Sequence, residues 1–132
     1  MNPSLVITTI NPPNQNIRLL SKGCKKNGWG LVVIGDKKSP KKFNVNFGEY
    51  FSIKKQKKLK FNFSKICPAN NYARKNIGYL ISMQNKSNFI IETDDDNTPK
   101  KNYFKPINLS HKVNIITVSY THLRAHETDS YL

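Results

Sequence analysis

Two apolar runs of strand length, separated by a stretch of helical periodicity, constrain the fold of this chain most. Residues 4–10 form a β-branched run that stops at Asn11 and two prolines, and residues 31–34 form a second run that closes at Gly35 and Asp36. Between the runs, apolar residues recur at spacings of three and four on one helical face, namely Ile17, Leu20 and Cys24. A strand, a helix and a strand joined by short links predict a βαβ unit and a parallel α/β sheet.

Helix-boundary signals support this order of elements. Asn14 is a predicted N-cap of the first helix, which is expected to end near Gly28. A second helix is predicted after the capping signal Asn70-Asn71, with Ala73, Ile77, Leu80, Ile81 and Gln84 on one stripe. A short strand is expected at 49–53, and the lysine-rich run 54–60 is expected to be an exposed helix or loop.

A third apolar run, Phe89–Ile91, predicts a buried strand that leads directly into an acidic cluster. Asp94, Asp95 and Asp96 are three of only eight Asp and Glu in a chain with 22 Lys and Arg. Adjacent like charges repel each other unless a cation or several donors offset them. Because Mg²⁺ is usually held by one or two carboxylates together with phosphate oxygens, a metal-diphosphate site is one explanation. A solvent-exposed Asx-rich turn is the other.

In extended backbone, alternate side chains share a face, so Asp94 and Asp96 are the predicted metal ligands while Asp95 is expected to point away. The ends of the first two strands are expected to face the same crevice, which would bring Thr9, Asn11 and Asp36 close to the acidic cluster. Each of these three is also an ordinary turn-forming residue.

The first turn of the second helix is expected to expose Arg74, Lys75 and Asn76 beside free backbone N–H groups, an arrangement that favours an anion. Arg74 and Lys75 are therefore candidates for contact with an anion. Plain solvation of both side chains is the alternative.

The formal charge of +14 is compatible with phosphate-bearing partners, including nucleic acid. The abundance of Lys, Asn and Ile with few Arg is also typical of translation from an AT-rich genome, so the charge says little about function.

Cys24 and Cys67 have neither CxxC spacing nor a nearby His cluster and are expected to be reduced and unpaired. With no secretory signal or membrane span recognisable, a cytoplasmic location is expected.

The composition changes abruptly near the C-terminus. Back-translated, residues 118–128 fit a transposon-end adapter used in shotgun sequencing, so residues 118–132 are expected to be an adapter-derived artefact and residues 1–117 the native part. The gene would then be cut inside its coding sequence. The alternative is a metal site formed by His122 and His126 at i, i+4 spacing. Raw nucleotide reads across codon 117 distinguish the two.

Four segments together resemble the STELLO-type glycosyltransferase family: Thr8–Asn11, Val33–Lys38, Tyr72–Leu80 and Glu92–Asn97. The specific part is ARKNIGYL followed by ETDDDN. The resemblance covers roughly residues 5–106, and a more distant one links the chain to UDP-arabinopyranose mutases, which carry a similar triplet of Asp residues.

The resemblance implies a Rossmann-like three-layer sandwich of the GT-A nucleotide-diphospho-sugar transferase type, truncated before its acceptor-side half. It implies a DxD motif in which Asp94 and Asp96 hold Mn²⁺ or Mg²⁺ on the diphosphate of a nucleotide-sugar donor, a UDP-sugar being expected.

The resemblance also implies that the crevice faced by Thr9, Asn11 and Asp36 takes the nucleoside, with Asp36 a candidate for uracil or ribose contacts. By the same resemblance, Arg74 and Lys75 are the candidates for contact with the diphosphate. The acceptor is an unspecified glycan or other molecule, and little or no activity is expected of the chain alone.

A basic nucleic-acid-binding module is the alternative function. Against this alternative, the basic stretches of the chain lack interleaved aromatic residues and a recognisable nucleic-acid-reading motif, although Phe61 and Phe63 lie near Lys60. A dinucleotide oxidoreductase is disfavoured because no GxGxxG follows the first strand.

Overall fold

A computed structural model of the chain describes residues 2–106, 108, 110 and 112–117. The predicted artefact at 118–132, with its histidine pair, lies outside the described residues. Within the described residues, eight elements follow one another in the order β1 (Pro3–Thr8), α1 (Gln15–Asn27), β2 (Gly30–Ile34), β3 (Glu49–Phe51), α2 (Ile53–Lys57), α3 (Asn62–Ile66), α4 (Lys75–Gln84) and β4 (Phe89–Asp94), with a 3-10 turn at Tyr72–Arg74 before α4.

The four strands form one parallel sheet in the order β3-β2-β1-β4. Thr8, the last residue of β1, pairs with Ile34 at the end of β2 and with Asp94 at the end of β4. The carboxyl ends of three strands therefore meet at one edge of the sheet. The predicted α/β class is confirmed, and the arrangement is consistent with a truncated GT-A-like Rossmann fold.

Helices cover both faces of the sheet because alternate residues of each strand point to opposite sides. Leu5 and Ile7 of β1 pack on the face covered by α1, together with Trp29, whereas Val6 packs on the opposite face against Ile77 of α4. The central strands are therefore buried on both sides, which explains why β1 and β2 read as continuous apolar runs in the sequence.

Local signals fix the ends of α1. The Asn14 side chain accepts a hydrogen bond from the backbone N–H of Ile17, and Gly28 ends the helix in the left-handed region at φ 69°. Both predicted boundaries are confirmed. Cys24 on the inner face of this helix is fully buried and unpaired, and burial raises the pKa of its thiol to about 12.

Gly78 lets α4 approach the sheet closely. A Cβ atom at this position would lie 2.4 Å from Cγ1 of Val6 and 3.1 Å from Cγ1 of Ile34. Gly destabilises a helix interior by roughly 1 kcal/mol relative to Ala. A larger residue at this position would instead push α4 away from β1 and β2. Of the predicted helical stripe, Ile77 and Ile81 are buried, whereas Gln84 is exposed.

The expectation that β4 is a buried strand is wrong for the described residues. It lies at one edge of the sheet, and none of its six residues is fully buried. In the described part of the chain, no helix is both long enough and apolar enough to cross a membrane.

Candidate functional site

A cleft of about 550 Å³ opens at the edge where β1, β2 and β4 end. Its lining combines strand ends, loop residues and the start of the helical region that leads into α4, as follows: Thr8, Thr9, Ile10, Asn11, Ile34, Gly35, Asp36, Lys38, Asn70, Asn71, Tyr72, Arg74, Asp94, Asp95 and Asp96. Six of the seven candidate site residues line this cleft; the exception is Lys75. The expected convergence of strand ends is thus present in the fold.

Asp36 is held in place by backbone donors from two loops. Its Oδ1 accepts hydrogen bonds from the backbone N–H of Lys37 at 2.6 Å and of Asn70 at 2.8 Å, and its Oδ2 accepts from Asn71 N at 3.3 Å. A carboxylate that accepts several backbone N–H bonds is strongly fixed in position. Asp36 therefore joins the end of β2 to the loop before α4 across one wall of the cleft.

Ser39 extends the same wall. Its hydroxyl accepts from the backbone N–H of Asp36 at 2.6 Å and donates to the backbone carbonyl of Thr9 at 2.6 Å. The loop after β2 is thereby tied to the end of β1. Lys38, beside Ser39, contributes a positive side chain to the lining.

Asp95 points into the cleft, contrary to the expectation that it faces away. Its Oδ2 accepts from the Thr9 hydroxyl at 2.6 Å and from Asn11 Nδ2 at 3.1 Å, and its backbone carbonyl accepts from Asn14 Nδ2 at 2.7 Å. The alternation rule fails because β4 ends at Asp94 and the next two residues form a turn. Asp95 thus fastens the acidic turn to the end of β1 and the start of α1.

Asp94 and Asp96 differ from their neighbour. Asp94 Oδ1 lies 3.2 Å from the ammonium of Lys75, with its side chain 56% exposed. Asp96 is exposed and takes part in neither of the two ion pairs found among the described residues. These two carboxylates are therefore the accessible ones in the triplet.

The expectation of an exposed first turn is wrong at Lys75, whose side chain is only 15% exposed, and at Arg74, which is buried. Arg74 is only 3% accessible, and its guanidinium donates to Gln56 Oε1 at 2.7 and 3.1 Å and to the carbonyls of Cys67 and Pro68 at 3.0 and 3.2 Å. Gln56 in turn donates to the carbonyls of Gly35 and Phe51. Arg74 therefore ties α2 and the loop after α3 to the wall that carries Asp36, and its contact with a diphosphate stays a prediction.

The predicted divalent cation fits the donor set at the acidic turn. Carboxylate oxygens are ligands that Mg²⁺ and Mn²⁺ accept, and the turn presents two accessible carboxylates, those of Asp94 and Asp96. Within the described ranges, no group of three or more His, Cys, Asp or Glu is arranged to hold a metal by itself. A cation here would accordingly need oxygens from a bound phosphate to complete its shell.

Sequence reasoning missed several residues that build the cleft. Ser39 gave no signal beyond its preference for turns, and Asn70 was recognised only as part of a helix-capping signal. Gln56 carried a weak signal, since it is an uncharged side chain inside a run of lysines, and it proves fully buried.

A second, more open groove of about 430 Å³ lies between α1 and residues 101–106. Four lysines line it, namely Lys22, Lys26, Lys101 and Lys105. Phe104 in its wall packs edge-on against Trp29 with ring centroids 5.0 Å apart.

The parallel sheet with a polar cleft at its carboxyl edge defines an α/β protein with a candidate ligand site where such sheets bind their ligands. No protein-family model matches the chain. Over 91 residues, 69% of its length, the chain is 26% identical to STELLO2 of Arabidopsis thaliana, described as a probable glycosyltransferase, and over the same share it is 25% identical to the probable glycosyltransferase STELLO1. The predicted resemblance to STELLO-type proteins is confirmed. The matched region makes up 12% and 11% of the length of these two relatives.

Proposed function

We propose that the chain forms the nucleotide-sugar-binding part of a metal-dependent glycosyltransferase. The observation that carries the proposal is the meeting of three strand ends in one polar cleft, with Asp94 and Asp96 accessible on one side and Asp36 fixed on the other. Similarity to two probable glycosyltransferases supports the same reaction class.

Each wall of the cleft has a distinct task in this proposal. The Asp36 wall, with Thr9 and Asn11 at the end of β1, receives the nucleoside of a UDP-sugar. Asp94 and Asp96 hold Mn²⁺ or Mg²⁺ against its diphosphate. A divalent cation bound there would offset the negative charge that develops on the departing diphosphate.

The chain's own residues supply the positioning. Asp95 holds the acidic turn against Thr9 and Asn11, so the accessible carboxylates sit beside the end of β1. Arg74 and Lys38 place positive charge near a bound diphosphate. The acceptor, a glycan or another molecule, and the cytoplasmic location remain predictions.

Calorimetric titration of the 132-residue chain with UDP, with and without Mn²⁺, tests the proposal. We expect binding that requires the metal and is lost in Asp94→Ala and in Asp96→Ala. Glu92→Ala is the matched control, because Glu92 is an exposed acid on the same strand but does not line the cleft. UDP binding that persists unchanged in both aspartate variants would overturn the assigned roles.

The lysine-lined groove beside α1 is the observation that favours a nucleic-acid-binding module as the second candidate. Single-stranded nucleic acid is usually bound by bases stacking on accessible aromatic rings. Phe104 is engaged with Trp29 and is not a free platform, so this function is the less favoured. A salt-sensitive mobility shift of single-stranded nucleic acid, lost in a Lys22→Ala, Lys26→Ala double variant, would support it.

A further inference from the structure

Lys75 contacts the acidic turn from outside the cleft. It is the first residue of α4, and its ammonium lies 3.2 Å from Oδ1 of Asp94 at the end of β4. The Lys75 side chain is only 15% exposed, and the residue does not line the cleft. The lysine is therefore held behind the carboxylate, where a ligand in the cleft does not displace it directly.

The position of the Lys75 ammonium affects how tightly Asp94 can bind a cation. A divalent ion bound to the accessible side of the Asp94 carboxylate would lie a few ångströms from the ammonium, and the two positive charges would repel each other. The Lys75 side chain is 15% exposed and that of Asp94 is 56% exposed, so water and salt reduce this repulsion without abolishing it. Lys75 therefore weakens binding of a bare metal ion.

A diphosphate reverses the sign of the interaction. A nucleoside diphosphate carries more negative charge than one divalent ion neutralises, so the metal-diphosphate complex is anionic overall. The same ammonium attracts that complex. The Lys75 charge thus lowers the affinity for the bare ion and raises the affinity for the metal-diphosphate complex. A difference of this kind is a coupling free energy between metal binding and diphosphate binding.

We propose that Lys75 couples metal binding to diphosphate binding, so that the site takes up the cation together with the nucleotide and not alone. This inference rests on the proposed function, since it concerns the same metal and the same diphosphate. It assigns to Lys75 a positioning role through Asp94 and through charge, without direct contact with the substrate.

Mn²⁺ affinity measured by calorimetry in the absence and in the presence of saturating UDP tests the inference. In Lys75→Met we expect Mn²⁺ alone to bind several-fold more tightly and Mn²⁺ with UDP to bind more weakly, so that the ratio of the two affinities falls by about tenfold. Lys75→Arg keeps the charge and should retain the ratio. Lys55→Met is the matched control, because Lys55 forms the other described ion pair, with Glu49 at 2.8 Å, outside the cleft.

The outcomes separate this inference from the proposed function. If the wild-type chain binds UDP only with Mn²⁺, but Lys75→Met keeps the wild-type ratio of Mn²⁺ affinities with and without UDP, the coupling role is wrong and the proposed function stands. An equal loss of Mn²⁺ affinity with and without UDP would also contradict the coupling, since it would mean that Lys75 only holds Asp94 in place. Lys75→Gln repeats the test should the methionine variant not fold. Absence of metal-dependent UDP binding in the wild type would overturn both proposals.

Discussion

On one side of the cleft, the carboxylate of Asp36 accepts three backbone hydrogen bonds from two loops. On the other side, Asp94 has a single lysine partner and Asp96 is exposed. Both walls carry acid at the end of a strand of the same sheet. A carboxylate whose oxygens accept several backbone hydrogen bonds contributes mainly to structure. An accessible carboxylate beside other acids is available to a cation.

Asp95 shows that local geometry, and not residue type, decides whether a carboxylate is held by hydrogen bonds or left accessible. It stands between Asp94 and Asp96, yet its Oδ2 is engaged by Thr9 and Asn11. The acidic triplet thus divides into one residue that fastens the turn and two whose carboxylates are accessible from the cleft. Four substitutions, two at the Asp36 side of the cleft and two in the triplet, test the difference between structural and accessible side chains by their effect on stability.

Gln56→Leu should have the largest effect, because it removes the only side-chain acceptor of the buried Arg74 described in the structure. Leaving a buried guanidinium without this acceptor, and the Gly35 and Phe51 carbonyls without their donor, should cost about 3 kcal/mol or more. Urea unfolding measures the loss. Lys57→Leu on the same helix, where the side chain is exposed, should change stability little, and an equal loss in both variants would show that the network is not the cause.

Asp36→Ala should come next. Removing the carboxylate exchanges the acceptor of the Lys37, Asn70 and Asn71 backbone N–H groups for water, and the loss of these three solvent-exposed hydrogen bonds should cost about 1–3 kcal/mol in total, since one such bond contributes about 0.5–1.5 kcal/mol. Urea unfolding is again the measurement. Asp36→Asn keeps one carbonyl oxygen and should recover part of the loss; wild-type stability in the alanine variant would contradict the structural role of this wall.

Asp95→Ala should destabilise the fold by about 1 kcal/mol, because Thr9 and Asn11 lose a shared acceptor near the surface. Thermal unfolding followed by circular dichroism is sufficient to detect the difference. If Asp95→Ala lost no more stability than Asp96→Ala, the division within the triplet would be wrong.

Asp96→Asn should have the smallest effect, within about 0.5 kcal/mol of the wild type and with stabilisation expected in the absence of metal. It removes one of three adjacent like charges and no ion pair among the described residues. Denaturant unfolding in a chelating buffer, repeated at high salt, checks that the gain is electrostatic, because salt should abolish it. A loss of more than 1 kcal/mol would mean that Asp96 supports the fold.

The sequence predicted the central elements well because their signals are strong and local. The β-branched runs of β1 and β2, the Asn14 cap, Gly28 and the stripe through Ile77 each specify an element without reference to distant residues. The strand-end rule then predicted that Thr9, Asn11, Asp36 and the acidic triplet would meet.

The remaining features depend on tertiary contacts that periodicity does not encode. Asp95 turns inward because β4 ends one residue earlier, and Arg74 is buried because Gln56 and two carbonyls are placed to receive it. The edge position of β4 likewise depends on which strands flank it, and the apolar run Phe89–Ile91 has the same composition in an edge strand or a central one.

The gain in folding stability on adding UDP and Mn²⁺ together decides whether the acidic turn binds a metal-nucleotide complex, because it measures fold and ligand binding in one experiment. At about 100 times the dissociation constant, a ligand specific for the folded state should stabilise the wild-type chain by about 2.7 kcal/mol in urea unfolding. We expect an Asp94→Asn, Asp96→Asn double variant to keep near wild-type stability without ligand but to lose this gain, while Glu92→Gln retains it. A full gain in the double variant would contradict the assignment of the metal and diphosphate to the acidic wall.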